Sequence, residues 1–357
     1  MSGSVGLVDC REAAIYELSE THPFTPDRFL LAFDLIEAYG LDRLPNVHRV
    51  HCRPATDEEL GLIHTAEFID ATKRAGHGEG GSWGRFGYSP EGMPGDNPIF
   101  PNMHEAASLV AGATLDVARE VLEGTADHGF NPTGGLHHAM DSRASGFCIY
   151  DDPAMAIEWL LREGIERVAY VDVDVHHGDG VQAAFYSDAR VLTASIHQYG
   201  TWFFPGTGDR DETGSEDAIG TVVNVPLHAG IRDEEWLGLV RTEILPKVRE
   251  FQPQVLVTEL GADTHATDPI GGLSLSTRAY EEAAHELHML AHQACGGRWI
   301  ATGGGGYSLT ATPRAWTLYF AEMCGVEVPD ELPDEWAEMM RERFGRQAPV
   351  RLRDGGT

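Results

Sequence analysis

Lysine is almost missing from this 357-residue chain. Only Lys73 and Lys247 stand among 26 basic residues, against 56 acidic ones, for a net charge of −30. That charge excludes a nucleic-acid partner bound by phosphate neutralisation, because the polyanion would be repelled. Cysteine is also sparse. Cys10, Cys52, Cys148, Cys295 and Cys324 are scattered, odd in number and without a CxxC pair, which favours reduced cytosolic thiols over disulfides or a thiolate metal site. No run of about 18 apolar residues occurs, so no membrane-spanning helix is expected. Asp9, Arg11 and Glu12 fall where a signal peptide needs an apolar core, so the expected location is the cytoplasm. With 42% hydrophobic and 23% charged residues, the chain has the composition of a folded domain, not a disordered one.

Apolar runs alternate with amphipathic stretches. Strands are predicted over 167–174, 190–197, 222–227, 254–260 and 298–302, and helices over 104–123, 153–163, 233–250 and 277–294. This order is that of βαβ units, giving a three-layer αβα domain on a mainly parallel sheet. One domain is expected over residues 1–325, followed by a polar helical tail over 326–357. Ligands of such sheets sit beyond the carboxyl ends of the strands. The long Gly/Pro-rich segments 76–100 and 199–220 fall in loop positions of that kind.

Four short motifs carry chemistry. In Val171–Gly180 (VDVDVHHGDG), Asp172, Asp174 and His176 would share one strand face, with valines on the other. Two carboxylates and an imidazole in an apolar setting are costly unless a cation joins them, and the donors suit zinc or ferrous iron. Asp263 follows the apolar run QVLVTEL as a third ligand would, although alone it reads equally as a turn or capping residue. His137 and His138 lie in a glycine-rich turn. Such a pair does acid–base work only if carboxylates fix its tautomers, and Asp172 and Asp179 are available for that. Finally, Tyr307 ends the run Gly303–Gly306, which has no lysine or P-loop pattern. A phenol there can donate to an oxyanion.

Taken together, the stretches HPFTPDR (22–28), GDNPIFPNMHEA (95–106), GGLHHAMDSRASGFC (134–148), YVDVDVHHGDGVQAAF (170–185), FFPGTGD (203–209), LGADTHATDP (260–269) and GGGGY (303–307) resemble the zinc-dependent histone deacetylase family. That group includes bacterial acetoin-utilisation-type proteins and acetylpolyamine amidohydrolases. The resemblance implies an arginase/deacetylase-like fold with about eight strands. It implies zinc (or ferrous iron) on Asp174, His176 and Asp263, and active-site histidines at His137 and His138 backed by Asp172 and Asp179. Tyr307 becomes the oxyanion donor. Gly146, Phe147, Phe204, Gly305 and Ile270 become substrate-binding positions, with Asp96 at the rim and Arg28 at an acetate exit. Potassium is implied at Asp172, Asp174, His176, Ser195 and Ile196.

The activity implied is hydrolysis of an N-acyl amide, most simply an acetyl-lysine of a protein. An acetylpolyamine or other small amide is the alternative, with Glu79 and Glu91 of the loop 76–96 as a gate. A two-metal ureohydrolase and a non-catalytic acyl-lysine binder rank lower. His265 departs from the pattern, which has an apolar residue there, and Asn97 stands where eukaryotic members have cysteine.

Overall fold

The computed structural model describes residues 3–89 and 95–354; Glu91 lies outside them. Eight strands form one parallel sheet: β1 (Val5–Asp9), β2 (Val47–His51), β3 (His128–Asn131), β4 (Val168–Asp172), β5 (Val191–Gln198), β6 (Val222–Leu227), β7 (Val255–Glu259) and β8 (Trp299–Thr302). Their spatial order is β2-β1-β3-β8-β7-β4-β5-β6, and every pairing is parallel. All residues of β3, β4, β7 and β8 are buried, as expected for strands covered by helices on both faces.

The five predicted strands are present within a few residues at either end. Of the other three, β2 and β3 have a physical reason for being hard to read. β3 is only His-Gly-Phe-Asn, and β2, at the edge, is a half-exposed Val-His-Arg-Val-His. Neither offers an apolar run. The predicted helix 233–250 is a continuous helical stretch in three parts, Asp233–Leu239, a π turn over Val240–Ile244, and Leu245–Phe251. Pro246 has no N–H to return to the turn before it, which accounts for the widened turn.

Two expectations need correction. First, β4 stops at Asp172, so Asp174 and His176 lie in the loop beyond it and not on the strand. The loop turns on its own carboxylates: Asp174 N donates to Asp172 Oδ1 (3.1 Å) and His176 N to Asp174 Oδ1 (2.7 Å). Second, Cys10 and Cys52 form a disulfide, whereas reduced thiols were expected throughout. β1 and β2 pair with Asp9 opposite His51, so the residues that follow leave the sheet side by side, with Cα atoms 5.4 Å apart. A separation of 42 residues hides this. Cys148, Cys295 and Cys324 are free and buried. Among the described residues, no helix is long and apolar enough to cross a membrane.

The C-terminal segment lies against the αβα layers. Helix Asp334–Phe344 buries Trp336 and Met340, and the Trp336 indole donates to Leu31 O (3.2 Å). Further on, Asp354 accepts from His265 Nε2 (2.9 Å), Thr277 N (3.0 Å) and the buried Arg314 (2.8 Å). Burial would raise the Asp354 carboxyl, but His265 and Arg314 outweigh it and hold the pKa well below the usual carboxylate range. A depressed carboxylate adds stability above its unfolded pKa of about 4 and loses it as pH falls below that. Asp354→Asn is therefore expected to lower the Tm at pH 7, by an amount corresponding to about 2–3 kcal/mol. That is less than a fully buried pair, because the Asp354 side chain is 30% exposed. The deficit should shrink as pH drops below about 4. Calorimetric melts of both proteins across pH 3–7 measure it, and a deficit that stays constant through acid would remove the linkage.

Candidate active site

The loops that follow β3, β8, β7 and β4 carry all four motifs, and these four strands are consecutive in the sheet. Parallel strands put their carboxyl ends on one rim, so residues far apart in sequence converge there. Asp174, Asp263 and Asp172 are fully buried, and His137, His138 and His176 nearly so.

The ligand-type atoms of Asp174, His176 and Asp263 lie within 4.8 Å of one another. His176 Nδ1 is 3.1 Å from Asp174 Oδ1 and 3.2 Å from Asp263 Oδ2. The other oxygens are held by backbone: Gly305 N donates to Asp174 Oδ2 (2.8 Å) and Val175 N to Asp263 Oδ1 (2.8 Å). Asp263 Oδ2 is buried with no hydrogen-bond partner. Burial and the nearby Asp174 charge push the Asp263 carboxyl up to about 7. Two buried carboxylates facing one another across an imidazole call for positive charge between them, and an orphaned inward oxygen is where a cation would be held. The donors present therefore fit a divalent ion such as zinc or ferrous iron. Gly305 is required by the close approach: a Cβ there would collide with Asp263 Oδ2 and Asp174 Oδ2.

Beside this trio, His137 Nδ1 donates to Asp172 Oδ2 (2.7 Å) and His138 Nδ1 to Asp179 Oδ1 (2.6 Å). The two rings are 4.0 Å apart. Burial works to lower both imidazoles. For His137 the charges of Asp172 and Asp174 overcome it and raise the pKa to about 9. For His138 burial is reinforced by the His137 charge, and the pKa falls to about 4 despite Asp179. The pair is thus split at neutral pH into an imidazolium and a neutral imidazole, the kind of separation that assigns different roles to like groups.

A cavity of about 250 Å³ opens onto these groups, lined by Asp96, His138, Gly146, Phe147, His176, Phe203, Phe204, Ile270 and Tyr307. Phe204 stands edge-on to His138 (centroids 4.9 Å) and Phe147 edge-on to Tyr307 (5.7 Å). Phe147 has a φ of +71°, unusual for a bulky residue, and its carbonyl accepts from Tyr16 OH (2.7 Å). A Cβ at Gly146 would strike the His138 ring and Phe204. Asp96 is exposed at the mouth. Arg28 lies behind Tyr307 and is 2% exposed. Its Nη1 donates to the carbonyls of Gly304 (3.0 Å) and Gly306 (2.9 Å), and its guanidinium sits over Phe24, Tyr307 and Trp316.

Other residues named from the sequence lie outside the cavity. Ser195 is the register partner of Asp172 on β5, and Ser195 and Ile196 line the strand next to the loop and not the cavity. Glu79 is bonded to Arg74 (2.8 Å) and does not line the cavity either. His265 turns toward Asp354, away from the ligand trio.

Four contributors were not legible in the sequence. Phe203 stacks on His176 (5.1 Å, 5° between planes), and its position beside Phe204 was the only signal. Asp268 accepts from Tyr307 N (2.7 Å) and from Ile270 N and Gly271 N (both 3.0 Å), fixing two cavity walls. An Asp before Pro marks such a turn. Asp152 accepts from Gly135 N and Leu136 N (3.0 and 2.8 Å) and so shapes the histidine turn. Glu259 lies beneath the trio, accepting from Gly261 N (2.9 Å) and Gly305 N (3.2 Å). Burial and then the Asp174, Asp172 and Asp263 charges raise its pKa well above the usual range.

A carboxylate–imidazole centre at the strand ends of a doubly covered parallel sheet, reached through an aromatic cavity, defines a hydrolase of the arginase/deacetylase fold. The family model described as "Histone deacetylase domain" matches residues 22–323, and the chain belongs to that family of metal-dependent deacetylases. It is similar to the acetoin utilization protein AcuC of Bacillus subtilis (strain 168), with 43% identity over 94% of this chain and 85% of that protein. The AcuC protein of Staphylococcus xylosus is 35% identical over 94% of this chain and 87% of its own length. Among solved structures, a histone deacetylase homologue from Aquifex aeolicus superposes with a TM-score of 0.88 at 33% identity, covering 99% of this chain and 96% of that one. A homologue complexed with SAHA gives 0.88 at 32%, with the same coverage.

Proposed function

We propose that this deacetylase removes acetyl, or another short acyl group, from the Nε of lysine in proteins. The observation that carries the reading is the cavity: about 250 Å³ walled by Phe147, Phe203, Phe204 and Ile270, with the exposed Asp96 and the buried His138 and His176 in its lining, a volume and an apolar wall that suit an acylated alkyl chain.

A divalent ion, zinc or ferrous iron, held by Asp174, His176 and Asp263 would supply polarisation of the amide carbonyl and acidification of a water. The chain's own groups do the rest. His138, neutral at working pH with Nδ1–H tied to Asp179, offers Nε2 to take a proton from the attacking water and return it to the leaving amine. His137, cationic beside Asp172, holds the water and biases the local field. Tyr307 donates its hydroxyl to the oxygen that becomes negative as the carbonyl carbon turns tetrahedral. Phe147, Phe203, Phe204 and Ile270 grip the methylene chain, with Gly146 and Gly305 giving it room. Asp96 accepts from the substrate's backbone N–H at the mouth. Arg28 attracts the released carboxylate toward an inner exit. Potassium, accepted by Asp172 with Asp174, His176, Ser195 and Ile196, would brace the β4 loop. Residues 1–325 act as the catalytic domain with 326–357 as its C-terminal tail, working in the cytoplasm without nucleic acid or membrane.

An acetylpolyamine is the second reading. It is disfavoured because Glu79, one of the two carboxylates suggested as a gate, is paired with Arg74 away from the cavity. Assaying metal-loaded protein on an acetyl-lysine peptide and on acetylspermidine decides between them. The expected kcat/KM is at least tenfold higher on the peptide; a reversed ratio overturns the substrate assignment.

A further inference from the structure

Three histidines converge at the opposite end of the sheet from the cavity. His128 begins β3, whereas the catalytic loops follow the other ends of the strands. His288 and His292 lie one turn apart on helix Thr277–Cys295, so both project from one face. Their Nε2 atoms meet: His128 to His288 is 3.1 Å and His292 to His288 is 3.0 Å. The same three residues offer nitrogen atoms mutually within 4.8 Å.

Hydrogen bonding alone serves this arrangement poorly. His288 Nδ1 donates to Glu322 Oε1 (3.1 Å) on helix Thr312–Met323, which leaves one lone pair on His288 Nε2. Two neighbouring imidazole nitrogens crowd that single lone pair, and one acceptor cannot satisfy two donors fully. A cation, by contrast, takes one lone pair from each ring at once. The Glu322 contact is then the carboxylate behind a metal-bound imidazole that fixes its tautomer and raises its basicity. His288 is also held by Trp299, stacked on it at 6.0 Å, and Trp299 stands edge-on to His128 at 5.8 Å. His128 is fully buried and His292 only partly, so an ion has a route in and a solvent-facing fourth position.

We propose that His128, His288 and His292 form a second metal site of this chain, taking a borderline divalent cation of the zinc, nickel or copper class. All-imidazole donors select these ions over magnesium or calcium. An ion there ties helix Thr277–Cys295 to the start of β3 and, through Glu322, to helix Thr312–Met323, far from the reacting atoms. It is a structural clamp and does not depend on the catalytic reading.

The test counts bound zinc. Chelator-stripped full-length protein, His292→Gln, His285→Gln and Asp174→Asn are dialysed to equilibrium against micromolar free zinc, and bound metal is measured by elemental analysis. His285 is exposed and contacts Glu322 without joining the trio. The wild type and His285→Gln are expected to hold two ions per chain, and His292→Gln and Asp174→Asn one each. Acetyl-lysine turnover of His292→Gln should match the wild type. Two ions retained in His292→Gln, or one in the wild type that His292→Gln keeps, overturns the clamp. Two retained in Asp174→Asn overturns the catalytic ligand set instead, so the two failures are separate. Copper-loaded Asp174→Asn supplies a readout that needs no folded His292 variant: its EPR spectrum should carry hyperfine structure from more than one imidazole nitrogen, which the catalytic trio with its single histidine does not supply, and a spectrum showing one such nitrogen or none sinks the site.

Discussion

Replacing Tyr307 with phenylalanine should cut kcat on an acetyl-lysine peptide by about two to three decades, with KM and metal content unchanged. Removing one preorganised donor to a developing oxyanion costs roughly 3–4 kcal/mol. The phenol is prepared for that task. Burial and the charges of Asp263 and Asp174 raise its pKa well above the usual value, against the opposing Arg28 charge, so it remains a proton donor. Asp268 pins its backbone N–H, and the Phe147 ring meets it edge-on. The ring of the phenylalanine variant keeps those contacts, so the loss isolates the hydroxyl. Because the donor acts on charge that exists only beyond the ground state, the effect should fall on kcat and not on binding. Undiminished turnover would remove Tyr307 from the chemistry.

Asp174→Ala has a larger expected effect: loss of the bound divalent ion and of all measurable turnover. Asp174 Oδ1 faces His176 Nδ1 and Oδ2 is oriented by Gly305 N, so the substitution deletes a ligand and also leaves Gly305 N with Glu259 as its one remaining acceptor. His137 loses a nearby negative charge, Asp174 Oδ1 at 3.9 Å from its Nε2, which weakens the cationic state proposed for it. Elemental analysis of the purified variant checks the first part and a peptide assay the second. Full metal occupancy contradicts the assignment of Asp174 as a ligand, whatever the activity.

How far the sequence reached is clearest at individual residues. Asp172, Asp174 and His176 were readable because carboxylates in an otherwise apolar strand are conspicuous. Asp263 was readable only as one polar residue after another apolar run. Asp268, Asp152 and Glu259 were not readable as parts of the site. Their carboxylates bind backbone N–H groups of loops whose shapes exist only in the folded chain. The Cys10–Cys52 pairing was not readable for the same reason, since strand register and not spacing brings the two together. In loop 199–220 the resemblance pointed to Phe204 and not to its neighbour. In the structure the loop supplies Phe203 and Phe204 to the cavity.

By itself, the sequence determined the kind of chemistry: three histidines, four aspartates and a tyrosine beside glycine-rich turns, on a chain whose apolar runs alternate between buried strands and amphipathic helices. The tertiary structure decided which of those turns share a rim. β8 is the last strand in the chain yet lies between β3 and β7 in the sheet. That insertion carries Tyr307 and Gly305 to the residues they serve, because the carboxyl ends of parallel strands face one way regardless of the order in which the chain visits them.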